Sequence, residues 1–253
     1  MAKKLLLLTV VFIVVALTGS AALALAPMGT PTAGLKQGQF RAGVDYSFSE
    51  TDLELKWSDA TDTIKDLQSN GIWANLGYGL ADMWEAFVRL GAANGEFDKI
   101  ETAEGDEDVG FDGDYGFSFG FGTKYTFWQQ QENLNWGTLF QINWLNTEDK
   151  ILTGDDEDGA SESKVEVDAY EIQIAVGPNW KATDSLSIYG GPFLHFLNGD
   201  LDTEDETGDL EQESEFGGYV GSQVDLAENT SLYGELQFTG DAWAFGTGIA
   251  WKF

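Results

Sequence analysis

The sequence contains no cysteine, and this absence limits how the protein can be stabilised. Without thiols the chain can form no disulfide, no thiolate metal site and no lipid anchor on a cysteine. Its stability therefore has to come from the burial of apolar surface and from backbone pairing.

Positively charged residues are also scarce. The chain has 13 Lys and Arg against 43 Asp and Glu, which gives a formal net charge of −30. Binding of nucleic acid depends on clustered basic groups that neutralise phosphates. The composition therefore excludes nucleic acid as a partner.

Long apolar runs are absent except near the N-terminus. Lys3 and Lys4 precede an apolar run over residues 5–17, and small residues follow it. The run is shorter than the roughly 20 residues of a membrane-spanning helix, so it predicts a secretory signal. Ala22 and Ala24 match the A-x-A rule, and we expect cleavage after Ala24.

Alternation of apolar and polar residues dominates the rest of the chain. Phe40, Val44 and Phe48 share one face of a strand, and Arg41 and Asp45 lie on the other. The same period of two recurs over residues 72–80, 84–92, 117–127, 136–144, 170–180, 186–196, 216–226, 232–238 and 243–253. These runs predict about ten antiparallel strands, with eight or twelve left open, in a closed barrel.

The links between the strands alternate in length. Short links occur near residues 81–82, 128–135, 181–185 and 227–230, and long acidic links are expected over 49–70, 94–115, 146–164 and 198–215. Short and long links therefore lie on opposite rims. Transmembrane barrels combine short periplasmic turns with longer extracellular loops in this way.

The volume of the side chains decides which face of the barrel points outward. A barrel of about ten strands has too narrow an interior to hold the Phe and Trp side chains of the apolar face. The opposite face carries small residues such as Gly77, Gly79, Gly246 and Gly248, which fit inside. We therefore expect the aromatic face to contact lipid, which in turn requires that the sheet close.

The last eleven residues carry a family resemblance. Phe245, Ile249, Trp251 and Phe253 place apolar groups at alternate positions up to a terminal Phe. This stretch resembles the C-terminal assembly signal of bacterial outer-membrane β-barrel proteins, and in size the chain is similar to small OmpA-like or OmpX-like barrels. The resemblance implies export to the outer membrane of a Gram-negative type bacterium. It also implies insertion by the barrel-assembly machinery and contact with membrane lipid and lipopolysaccharide.

The expected domain limits follow from these patterns. The chain divides into a signal peptide (1–24), an N-terminal periplasmic segment (25–38) and a transmembrane barrel (39–253).

Charged residues on the inward face are the candidate site. By alternation the lumen receives Arg41, Asp45, Glu85, Arg89, Lys124, Glu171 and Glu235. Buried charges persist when they are paired, so these groups predict a network that closes the lumen and a structural or surface-interaction role. The alternative is a narrow, water-filled passive channel that prefers cations because its mouth is acidic.

The single histidine and the acidic runs could suggest catalysis or metal binding, but their sequence context does not support either. His195 is the only histidine and faces inward, which leaves an outer-membrane hydrolase as a second alternative. No serine follows it two residues on, so we expect no enzyme and no cofactor. Acidic runs such as 155–159 could attract divalent cations, yet none has the spacing of an EF-hand loop. We interpret these runs as solvated loops.

Overall fold

A computed structural model describes residues 25–58, 60–103, 105–130, 133–153, 161–203, 206–212 and 214–253. The predicted signal peptide lies outside these residues. The described residues form twelve strands: β1 (Phe40–Lys56), β2 (Thr61–Ala81), β3 (Trp84–Thr102), β4 (Gly105–Asp112), β5 (Gly116–Gln130), β6 (Leu134–Thr153), β7 (Ser161–Lys181), β8 (Leu186–Asp202), β9 (Thr207–Glu211), β10 (Phe216–Ala227), β11 (Thr230–Phe238) and β12 (Ala242–Lys252).

Ten of these strands close into an antiparallel ring. Each strand pairs with its neighbours in the order β1, β2, β3, β5, β6, β7, β8, β10, β11 and β12. The ring is completed by pairing of β12 with β1, in which Val44 lies opposite Ile249. The predicted closed antiparallel barrel of about ten strands is confirmed.

A band of large apolar side chains surrounds the outside of this ring. We call it the apolar belt, and its exposed members include Phe40, Leu76, Val88, Leu90, Phe119, Phe121, Ile174, Val220, Leu236 and Phe245. Along β1 the belt runs from Phe40 to Phe48, which corresponds to about 20 Å of height at the usual strand tilt. A continuous apolar surface of this kind is what a barrel presents to lipid. The predicted outward orientation of the aromatic face is confirmed.

The strands continue beyond the belt with the two faces exchanged. On β1, Glu50, Asp52 and Glu54 now point outward, whereas Leu53 and Leu55 are fully buried inside. The same exchange occurs on β7, where Val165 and Val167 point inward. Since the solvent changes from lipid to water at this height, the apolar face has to turn from the outside to the inside. We call this part of the molecule the upper barrel.

Most residues of the expected long links belong to the upper barrel. The links do lie at one rim, but β1 extends to Lys56 and β2 begins at Thr61, so little of 49–70 is loop. Sequence reasoning missed these strands because their alternation has the opposite sign to that of the belt. The expected acidic run over 155–159 lies outside the described residues.

Two short strands complete the upper barrel. Strand β9 pairs with both β8 and β1, so it bridges these strands above the ends of β10 to β12. Strand β4 pairs with β3. The interior at this height is an apolar core, and its largest members include Leu53, Leu55, Ile64, Leu67, Phe97, Phe111, Val165, Val167, Leu201 and Leu210.

Among the residues that the structure describes, no helix combines the length and the apolarity needed to cross a bilayer.

Candidate functional site

The lumen of the ring is occupied by the chain's own N-terminal segment, residues 25–38. Leu25, Ala26 and Met28 are at most 3% exposed, and Leu35 is equally buried further down the segment. The segment joins β1 at the rim of the short turns and runs up into the barrel. The sequence placed these residues in the periplasm. The structure places most of them inside, because the wall supplies partners for their backbone.

Lumen carboxylates accept hydrogen bonds from the backbone of this segment. The two oxygens of Glu235 accept from the amides of Met28 at 2.9 Å and Gly29 at 2.8 Å. Glu171 accepts from the amide of Ala26 at 3.2 Å. Such charge-assisted bonds are stronger than those between neutral groups. They satisfy backbone donors that have no strand partner, which a buried segment requires.

Lumen donors bind the carbonyl groups of the same segment. Lys124 Nζ donates to the carbonyl of Met28 at 3.0 Å. The Nε2 atoms of Gln237 and Gln141 both donate to the carbonyl of Ala26, at 3.0 Å and 3.3 Å. The wall therefore satisfies donors and acceptors of the segment, and the segment is part of the folded core.

Inward glycines make room for the segment. A Cβ atom on Gly79 would lie 2.0 Å from the carbonyl oxygen of Lys36, and one on Gly137 would lie 2.6 Å from that of Pro31. No side chain fits at such distances from a backbone atom. These glycines explain why the polar face of the strands carries so little volume.

The structure places all seven predicted lumen charges on the inward face. Arg41 forms a hydrogen-bonded ion pair with Glu85. Arg89 lies 3.4 Å from Asp45, and its guanidinium stacks 4.8 Å from the ring of Trp73. The remaining three are Lys124, Glu171 and Glu235, which bind the N-terminal segment as described above.

His195 is enclosed in the same layer. It is 1% exposed, and its Nε2 atom lies 3.1 Å from a carboxylate oxygen of Glu171. Among the described residues its Nδ1 atom has no hydrogen-bond partner, and the ring of Phe193 lies 6.4 Å away. The described surroundings thus bring His195 to a carboxylate and not to a hydroxyl nucleophile. An activated nucleophile would need such a hydroxyl within hydrogen-bond reach.

Sequence reasoning missed the polar amides that link the charged groups. Gln173 Nε2 donates to Gln237 Oε1 at 2.9 Å, and Gln141 is hydrogen-bonded to Gln173. Asn143 Nδ2 donates to Glu171 at 2.7 Å. Their inward register was readable from the alternation. The N-terminal segment, which Gln141 and Gln237 bind at Ala26, lies far away in sequence.

Little space remains between the segment and the wall. A cavity of about 60 Å³ lies beside Met28, Asp45, Arg89 and Lys124. This volume holds about two water molecules. In the apolar core above, a cavity of about 10 Å³ lies between Ile64 and Leu210.

Carboxylates line the outer wall of the upper barrel. Asp168, Asp200 and Asp209 lie opposite one another on β7, β8 and β9. Across the described part of the chain, no group of three or more acidic or histidine side chains is arranged to hold a metal ion.

A lysine of β7 near this wall is part of a small ion-pair group. Lys164 Nζ lies 2.6 Å from Glu148 and 3.2 Å from Glu166. Hydrogen bonds to Glu148 and Glu166 raise the pKa of Lys164. Hydrogen bonds from Asn146 and Lys164 lower the pKa of Glu166. These shifts favour the charged forms at neutral pH.

The predicted C-terminal signal lies at the closing seam of the ring. The amide of Phe253 donates to the carbonyl of Phe40 at 2.9 Å, and the amide of Phe40 donates back at 3.3 Å. The side chains of Phe245, Trp251 and Phe253 are exposed on the outside of the ring, and Ile249 is half-buried on the same face.

The chain is similar in fold to several solved structures. No protein-family model matches the sequence, and no curated protein matches it. The translocator domain of the autotransporter NalP from Neisseria meningitidis is 10% identical, with 87% of this chain and 90% of that chain covered and a TM-score of 0.49.

Two further solved structures are similar at the same level. An outer membrane channel from Pseudomonas putida F1 is 13% identical, with 91% of this chain and 100% of that chain covered and a TM-score of 0.45. Ail, the attachment invasion locus protein of Yersinia pestis, is 12% identical, with coverages of 86% and 100% and a TM-score of 0.37. At these identities the function has to be inferred from the geometry of this chain.

Proposed function

We propose that the protein is an outer-membrane β-barrel of a Gram-negative type bacterium whose lumen is closed and which has a structural or surface-interaction role. The observation that carries this proposal is the N-terminal segment, which fills the lumen and is bonded to its wall. A barrel filled in this way gives a solute no wide path, and wall side chains bind both the amides and the carbonyls of the segment.

Two layers close the barrel in series. The lower layer, which we call the polar layer, consists of the N-terminal segment and the polar wall groups that bind it, together with a cluster of buried apolar side chains that includes Leu139, Tyr189 and Phe193. The upper layer is the apolar core of the upper barrel. An ion that passed the polar layer would still meet a dry apolar layer, which hydrated ions do not enter without a large desolvation cost.

The outer surface supports contact with lipid below and with water above. The apolar belt would contact membrane lipid and the acyl chains of lipopolysaccharide. The wall of the upper barrel is acidic, so divalent cations held between this wall and lipopolysaccharide phosphates would favour the contact. The exposed side chains of β12 would be read by the barrel-assembly machinery during insertion.

Conductance in planar lipid bilayers tests the closed lumen. We expect no stepwise openings from the wild-type chain, and none from a chain that lacks residues 25–38, because the apolar core remains in place. A porin reconstituted in the same way is the control for insertion. Openings of the wild-type chain would contradict the proposal and would favour the narrow, cation-preferring channel.

A catalytic role receives no support from the surroundings of His195. The segment and the wall enclose this residue, so a lipid or peptide substrate would have to displace residues 25–38 to reach it. We therefore propose no enzymatic activity.

A further inference from the structure

The charged groups of the lumen do not balance. Above the rim the described wall carries four carboxylates, on Asp45, Glu85, Glu171 and Glu235, but only three basic side chains of Lys or Arg, namely Arg41, Arg89 and Lys124. At the rim the Lys252 Nζ atom lies near Arg41 and Glu85, beside Gly34, whereas Asp225 is exposed, so neither group neutralises the charge around Glu171. One negative charge is therefore left without a permanent counter-ion in a layer where unpaired charge is costly.

The excess charge can be assigned to Glu171. Asp45 and Glu85 each have an arginine partner, and Glu235 lies in the layer of Lys124, since both bind the backbone of Met28. Glu171 has only neutral partners among the described residues, apart from His195, which is charged only when it is protonated. A cation beside Glu171 would complete the balance.

The upper end of the N-terminal segment lies at this position. The amide of Ala26 donates to Glu171 at 3.2 Å, and the Leu25 nitrogen lies 3.2 Å from the hydroxyl of Ser49. Adjacent backbone nitrogens are less than about 3.8 Å apart, so the Leu25 nitrogen lies within about 7 Å of the Glu171 carboxylate. Leu25 is therefore held at the top of the polar layer, directly below the apolar core.

The signal sequence predicts a chain end at the same residue. Its A-x-A pattern ends at Ala24, so cleavage there makes Leu25 the first residue of the exported protein. In this cleavage, which needs a signal peptidase, water adds across the Ala24–Leu25 peptide bond. The Ala24 carboxylate leaves with the signal, and the Leu25 nitrogen becomes an amine that takes up a proton.

We propose that the lumen contains a binding site for the α-ammonium group of Leu25, formed by Glu171 and Ser49, and that the segment closes the lumen in this form only after the signal is removed. This inference rests on the proposed outer-membrane barrel. The ammonium group supplies the missing positive charge, and its N–H groups can bond to the Ser49 hydroxyl and to Glu171. An uncleaved chain would carry neither the charge nor a free end at this position.

Chemical labelling of the amine tests the site. Near neutral pH an amine-reactive reagent labels α-amines before lysines, because α-amines lose their proton at lower pH. Intact mass spectrometry of protein purified from outer membranes should give a chain that begins at Leu25. Its α-amine should react at least about tenfold more slowly in the folded protein than in the urea-unfolded protein, because it reacts only when the segment opens.

Three variants show whether Glu171 and Ser49 hold the amine. Glu171→Gln and Ser49→Ala should both speed labelling of the folded protein, with the larger effect for Glu171→Gln because it removes the counter-ion. Glu228→Gln, in the exposed turn between β10 and β11, is the matched control and should label like the wild type. Heat-modifiable gel mobility confirms that each variant is folded.

A chain with four additional residues before Leu25 provides an independent measurement. Hydrogen exchange of the amides of residues 25–34 should be faster in this chain, and removal of the extension by a protease should restore the protection. Equal protection with and without the extension would overturn the inference, as would a different first residue or an unprotected amine in the folded wild type. Those results would leave the closed lumen intact, whereas channel openings in bilayers would contradict the closed lumen itself.

Discussion

Glu171 connects the separate parts of the lumen. One carboxylate meets the amide of Ala26, the side chain of Asn143 and the ring of His195 within 3.2 Å. Buried polar networks of this kind are favourable when every member is satisfied and costly when one partner is missing. The energetic role of a lumen residue therefore depends on whether its partner remains.

The pair of Asp45 and Arg89 allows a quantitative prediction. Arg89→Met leaves Asp45 buried without its cation and should lower the free energy of unfolding by about 3–5 kcal/mol. In the double variant Asp45→Asn/Arg89→Met the loss should be clearly smaller, because no unpaired charge remains. Urea titration of the protein in lipid vesicles, followed by tryptophan fluorescence, measures both. If the losses of Arg89→Met and of Asp45→Asn alone simply add up to the loss of the double variant, the two side chains do not interact.

The sequence predicts the direction of these side chains but not their partners. Period-two alternation is sufficient to place Arg41, Asp45 and Glu171 inside, because successive side chains of a strand point to opposite faces. Pairing depends on which strands are neighbours and on the N-terminal segment, whose contacts with Glu235 span more than 200 positions of sequence. Local patterns carry no information at that separation.

The N-terminal segment has no regular secondary structure and is still part of the core. Its shape is complementary to a wall from which side chains are missing at specific positions, notably Gly79 and Gly137. Alternation cannot predict this element, because a segment bound by side chains has no period of its own. The inward glycines were the available signal in the sequence, because a strand face that contacts only water does not require glycine.

Substitution of one wall glycine tests the seating of the segment. Gly79→Ala places a methyl group 2.0 Å from the carbonyl oxygen of Lys36, so the segment has to shift and its amides should exchange with solvent at least about tenfold faster. Gly234→Ala is the matched control, because a Cβ at Gly234 has no atom within 4 Å. Hydrogen exchange with mass spectrometry compares the two. Unchanged exchange in the Gly79 variant would contradict the described position of the segment.

The strands show why the expected loops were too long. Along β1 and β7 the alternation persists, but apolar residues move from the outward to the inward face near Glu50 and Asp168. If the apolar residues of a strand are assumed to stay on one face, this exchange looks like the end of the strand. Physically it marks the height at which lipid gives way to water.

The barrel as a whole contacts two solvents, lipid around its lower part and water around its upper part. Its lower part has an apolar outside and an inside that combines polar groups with the apolar cluster around Phe193, and its upper part has an acidic outside and an apolar inside. The large excess of acidic residues is concentrated where the wall meets water, which keeps that surface soluble. The sequence predicts the closed ring and the direction of its aromatic face. It does not predict that the N-terminal segment fills the lower part of the interior and that an apolar core fills the upper part.

Spin labels at single cysteines test the central claim most directly, because the chain has no native cysteine. In lipid vesicles, labels at Val88 and Leu236 in the apolar belt should collide mainly with oxygen, which concentrates in the bilayer. Labels at Glu54 and Asp200 on the upper wall should collide mainly with a water-soluble nickel complex, and a label at Thr126 in the lumen should be reached by neither. Greater access of nickel than of oxygen at Val88 and Leu236 would contradict a lipid-facing belt around a closed lumen.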